Sequence, residues 1–91
     1  MTVAVPDGQI ALAKRFRFQW EAAQQAHVLL FPEGMVKLNE SAAAILGLCD
    51  GTRDVVGIIR DLTLKFPAAE LAAEVRSFLE VAYGRGWIIG S

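Results

Sequence analysis

The chain has 91 residues, enough for one domain around a single core. Nine Lys plus Arg against ten Asp plus Glu give a net charge of -1, and 54% of the residues are hydrophobic, which excludes intrinsic disorder and lacks the basic footprint of a nucleic-acid binder. The single Cys49 excludes a disulfide framework and suits a reducing compartment, and the longest stretch free of Asp, Glu, Lys and Arg is the 11 residues Ala22 to Pro32, short of the roughly 20 that cross a bilayer.

Met1 to Val5 carry no basic side chain with which to open a secretory signal, so the expected location is the cytoplasm. Residues 1–13 hold Pro6, Asp7 and Gly8 without sustained periodicity and are expected to form a flexible N-terminal arm, leaving 14–91 as the folded domain. From Arg15 to Trp20 the chain alternates strictly, with Phe16, Phe18 and Trp20 on one face and Arg15, Arg17 and Gln19 on the other. That is the pattern of a half-buried strand.

His27 to Phe31 and Met35 to Asn39 form two further strands around Pro32, Glu33 and Gly34. Pro32 presets the φ of a turn, and a left-handed Gly34 would close a three-residue hairpin with a bulge. On the second strand Val28 and Leu30 face one way and Leu29 and Phe31 the other, so both sides of the sheet are expected to be covered there.

After Asn39 the period changes to about 3.6 residues and helices follow. Asn39 or Ser41 can cap the first, which contains Ala42 to Leu46 and is expected to stop at Asp50-Gly51, where Gly51 supplies a left-handed C-terminal residue. Thr52 is expected to cap a second helix, buried along Val55, Ile59, Leu62 and Phe66. Pro67 is expected to open a third, with Leu71, Val75, Phe78, Leu79 and Ala82 inward, running to about Tyr83. Trp87 to Ile89 pack back as an extended tail. Three strands followed by three helices define an α+β domain, a three-stranded antiparallel sheet followed by a three-helix bundle.

Catalytic chemistry finds no support in these residues. His27 and Cys49 occur once each, inside regular apolar segments, and two residues do not make a zinc site. No glycine-rich phosphate loop is present, and Asp50-Gly51 with Arg53 reads as a turn between helices in which Arg53 reaches a neighbouring carboxylate or helix end. No cofactor is expected. The two helices flanking this turn also permit a DNA-binding reading, but Asp54, Asp61 and the acidic start of the third helix at Glu70 oppose phosphate.

If sequential strands are neighbours, the third strand is an edge with only Lys37 to guard it. An extended peptide can add there through its backbone. The same edge also admits a homodimer through edge pairing or strand exchange.

The run from His27 to Asn39, followed by Ser41-Ala42, Ile45-Leu46, Asp50-Gly51, Arg53, Phe66-Pro67, Val75, Phe78-Leu79 and Gly86-Trp87, resembles the PqqD family of pyrroloquinoline quinone biosynthesis. Gln19-Trp20-Glu21 and Ala23-Gln24 extend the likeness, which covers roughly Arg17 to Trp87. Phe31 departs conservatively from an aromatic of the tyrosine type that is frequent in the family. The resemblance implies a winged-helix-like fold and a non-catalytic chaperone, a recognition element for ribosomally made, modified peptides. It would bind the precursor peptide PqqA and present it to PqqE, a radical S-adenosylmethionine enzyme that joins a Glu and a Tyr side chain; a winged-helix DNA-binding protein is the alternative. The residues expected to meet the peptide are Met35, Val36, Lys37, Leu38 and Asn39 on the strand and Leu71, Val75, Arg76 and Leu79 on the facing helix. His27, Pro32, Glu33, Gly34, Asp50, Gly51 and Arg53 belong to the family motif with no role assigned. No nucleic acid or membrane partner is expected.

Overall fold

The computed structural model describes residues 5–90. Its elements in chain order are β1 (Ile10–Leu12), β2 (Arg17–Glu21), β3 (Ala26–Phe31), β4 (Gly34–Lys37), α1 (Glu40–Leu46), β5 (Asp50–Arg53), α2 (Val55–Lys65), α3 (Ala72–Gly84) and β6 (Ile88–Gly90). An antiparallel sheet in the order β2-β3-β4 precedes the helices, which is the winged-helix-like α+β arrangement expected. The β3–β4 hairpin is tighter than the sequence suggests: Phe31 pairs with Gly34 across a two-residue Pro32–Glu33 loop, and only Gly51 and Gly86 among the described glycines have positive φ.

A second sheet, β5-β1-β6, corrects the expectation of a flexible arm. β1 is its central strand, antiparallel to β5 and β6, and Ile10 is completely buried. Leu12 N–H donates to Cys49 C=O at 3.0 Å and Ala13 N–H to Trp87 C=O at 2.9 Å, so the N-terminal segment joins the middle and the end of the chain. The arm's residues 1–4, and Ser91, lie outside the described residues.

β5 also replaces the expected helix-to-helix turn. α1 ends at Leu46, where Gly47 N–H closes back on Ala43 C=O, and α2 is capped by Asp54 rather than Thr52, its carboxylate accepting from Gly57 N–H at 2.8 Å. The buried stripe of α2 is rotated from the expected one, with Ile58 and Leu62 in the core, Val55 and Ile59 on its flanks and Phe66 exposed. α3 begins at Ala72 and not at Pro67, because Pro67 to Leu71 remain irregular and the N-cap Leu71 offers no side-chain acceptor.

The core joins Ile10, Leu29, Leu38, Ile45, Leu46, Ile58, Leu62, Val75, Leu79 and Ile88, drawing on both sheets and all three helices. Val28, equally buried, lies outside this cluster on the other face of β3. No helix among the described residues is long and apolar enough to cross a membrane.

Candidate functional site: an open strand edge and the cleft at its end

The site is built on the hairpin. Leu38 N–H donates to His27 C=O at 3.0 Å, and the ladder continues through Leu29 with Val36 and Phe31 with Gly34. Hydrogen-bonded pairs recur at every second residue of an antiparallel ladder, so Gly34, Val36 and Leu38 turn their N–H and C=O groups toward β3. Those of Met35 and Lys37 point the other way. Among the described residues nothing pairs with that side of β4.

The five strand residues expected at the site therefore divide by role. Met35 and Lys37 present backbone to the open edge, with their side chains exposed. Val36 and Leu38 use their backbone on β3, and Leu38 lies in the core while Val36 packs against it. Asn39 caps α1, its side-chain oxygen accepting from Ala42 N–H at 2.8 Å and its carbonyl from Ala43 N–H at 2.9 Å.

β4 runs through Leu38 and Asn39 directly into α1, and there a cleft of about 250 Å³ opens between the three helices. Ala44, Ile45, Leu62, Phe66, Leu71 and Val75 form its apolar lining, with Glu40, Ser41, Ala69 and Glu74 completing it. Of the four expected helix residues, Leu71 and Val75 belong to this cleft. Val75 is 1% exposed and supplies floor rather than a free side chain.

Arg76 and Leu79 do not join them. They line a separate cleft of about 290 Å³ on the opposite flank of α3, beside Val5, Pro6, Asp7 and the start of α2, and Leu79 is wholly buried. Periodicity leaves open which of the four line a groove and which fill the core. Positions 75 and 76 are about 100° apart around a helix and face different neighbours, while Leu79, one turn beyond Val75, is a core residue. Sequence reasoning missed Ala44, Ala69 and Phe66 as cleft residues; the signal available was the position of Phe66, a large aromatic directly before Pro67, and the structure leaves it 47% exposed there.

The motif residues without an assigned role hold structure together. His27 stacks on Phe18 with ring centroids 4.9 Å apart and meets the edge of Trp20 at 5.2 Å, so this histidine serves as an aromatic spacer between β2 and β3. Glu33 in the hairpin loop pairs with Arg15. Arg53 gives its Nε–H to Asp61 at 2.5 Å and Nη1 to Asp50 at 3.2 Å, which ties β5 to α2 and meets the expectation that it reaches a neighbouring carboxylate. Asp61 beside it pushes the Arg53 guanidinium further up. Burial, with the Asp50 charge adding to it, pushes the Cys49 thiol up to about 12, far from the range of a nucleophile. No group of three or more His, Cys, Asp or Glu suited to a metal ion exists among the described residues.

Comparison with known proteins bears on this geometry. The family described as Coenzyme PQQ synthesis protein D (PqqD) matches residues 26–88, from the first residue of β3 into β6. A PqqA binding protein of Stutzerimonas stutzeri is 60% identical over 74 residues, 80% of each chain, and one of Methylococcus capsulatus is 48% identical over 83 residues, 91% of this chain and 89% of the other. The solution structure of the PqqD portion of Methylobacterium extorquens PqqCD, described as a functional, stand-alone recognition element for ribosomally synthesised and modified peptides, superposes with a TM-score of 0.67 at 27% identity, covering 90% of this chain and 87% of that one.

Proposed function

The chain belongs to the PqqD family, and from that premise we propose that it is a non-catalytic peptide chaperone of pyrroloquinoline quinone biosynthesis that binds the precursor peptide PqqA by strand addition to β4. The observation that carries the reading is the unpaired backbone of Met35 and Lys37, on a strand that runs through Leu38 and Asn39 into α1, whose Glu40 and Ser41 line an apolar cleft. An extended peptide placed there completes a fourth strand: main-chain hydrogen bonds set its register, and alternate side chains reach the helices.

The finer parts of the reading concern partners. The bound peptide is presented to PqqE, the radical S-adenosylmethionine enzyme, which supplies the chemistry. A second copy of the chain competes for the same edge, so self-association falls as peptide is added. The compartment is the cytoplasm, which the lone reduced Cys49 supports.

The register of β4 selects the test. Proline lacks the N–H that an incoming strand would accept from. Lys37→Pro removes a donor that points outward, and should weaken binding of labelled PqqA tenfold or more while Lys37→Ala changes it little. Val36→Pro breaks the β3–β4 ladder instead and reports only on folding. In an amide titration the Met35 and Lys37 signals should move with peptide and stay still with duplex DNA. Unchanged affinity in Lys37→Pro, or shifts confined to the β2 edge at Phe18 and Trp20, overturns strand addition to β4. Omitting this protein should slow PqqE turnover of the peptide, and undiminished turnover overturns the presenting role.

A further inference from the structure

The cleft at the end of β4 carries a charge asymmetry that backbone pairing leaves unused. Its floor is hydrocarbon from Ile45, Leu62 and Val75, while Glu40 and Glu74 are the charged groups in its lining, with no Lys or Arg. The ion pairs among the described residues join Arg15 to Glu33 and Arg53 to Asp50 and Asp61, so neither carboxylate of the cleft has a basic partner. Each lies in the first turn of its helix, α1 or α3, where the dipole favours an acid. That effect explains an acid at each helix start but not the placing of both at one apolar opening.

At about 250 Å³ the cleft is also smaller than the roughly 300–1,000 Å³ of sites that enclose a whole small molecule. A single side chain suits it better. Carboxylates beside a low-dielectric wall attract a cation to the rim and repel an acid.

Resting on the strand-addition reading, we propose that this cleft reads the sequence of the bound peptide. It takes one bulky apolar side chain from the stretch that extends beyond the β4-paired segment, and Glu40 and Glu74 hold a Lys or Arg within a residue or two of that anchor. Register comes from β4, and selection among peptides comes from the cleft.

The test uses the full chain and labelled PqqA, with anisotropy for affinity and amide shifts for location. Ala69→Phe fills the cleft from an exposed loop position outside the core. It should weaken binding about tenfold, while the Met35 and Lys37 amides still move at saturating peptide. Glu74→Lys should weaken binding about three- to fivefold at low salt, an effect that shrinks at high salt and is reversed by a peptide whose basic residue beside the anchor is replaced by Glu. Glu74→Gln, which keeps the side-chain shape, should move affinity in the same direction and guards against misfolding of the Lys variant. Affinity unchanged in Ala69→Phe, or in both Glu74 variants, overturns the proposal even when the Met35 and Lys37 amides shift, and strand addition then stands without it. If those amides fail to shift in the unaltered protein, both readings fall.

Discussion

Gly34 and Gly51 both lie in strands, but only one of them needs to be glycine. Gly51 has a φ of +87°, where a side chain is strained, whereas Gly34 has no positive φ and a Cβ there would meet the Phe31 ring at an ordinary 3.8 Å. Gly51→Ala should therefore cost about 1–2 kcal/mol in a urea titration, and Gly34→Ala should be neutral or gain a few tenths, since alanine restricts the unfolded chain. The sequence points to both glycines and Gly51 meets it; Gly34 does not, because a Pro-Glu-Gly string looks like a bulged turn while the actual two-residue loop leaves Gly34 already paired. Cys49 invites a second test at the same scale. Cys49 is 4% exposed, and its thiol, pushed up to about 12 by burial, donates to Ile45 C=O at 3.4 Å, so Ellman's reagent at pH 8 should react with it only after denaturation. Prompt reaction in the native protein contradicts this packing.

At the scale of elements, β1 carries more than its three residues suggest. It is the centre of a sheet whose other strands come from the middle and the end of the chain, and its Ile10 is completely buried. Ile10→Ala should cost about 2–5 kcal/mol by loss of burial and creation of a cavity, with hydrogen-exchange protection falling first in β5 and β6. A change below about 0.5 kcal/mol would return residues 10–12 to the role of an arm. The first sheet and the helices are legible in the sequence from local signals: strict alternation along β2, the Pro-Glu-Gly turn between two apolar runs for β3 and β4, and 3.6-residue spacing along α2 and α3. β1 and β5 are three and four residues long and have no turn signal like that of the hairpin, and although Trp87 to Ile89 read as an extended tail, the pairing of β1, β5 and β6 depends on contacts distant in sequence. The candidate site divides in the same way. Its strand edge follows from local order, but the cleft needs α1, α2 and α3 brought together. That is why Ala44 and Ala69 carry no signal, and why the sequence does not separate Arg76 and Leu79 from Leu71 and Val75.

Across the whole molecule, the second sheet and the helices that wall the cleft are fastened through one polar cluster. Arg53 on β5 binds Asp61 on α2, and Asp50 on β5 accepts from the Thr52 hydroxyl at 2.5 Å, from Thr52 N–H at 3.0 Å and from Arg53. Leu62, on the same helix as Asp61, lines the cleft, so β5 helps to set the position of a cleft wall. The hydrogen bonds from Thr52, and then the charge of Arg53, hold the Asp50 carboxyl below its ordinary value of 3.8. The unfolded chain therefore takes up this proton at higher pH than the folded chain, and the stabilisation, complete above about pH 4, is lost as pH falls through the lower folded value. Asp50→Asn keeps an oxygen to accept from Thr52 and removes the charge. Its urea midpoint should lie below that of the unaltered protein from neutral pH to about 4, and the gap should close in more acid solution. A gap that stays constant to pH 2.5 would show that Asp50 acts through hydrogen bonding alone, with no part for its charge in joining β5 to α2.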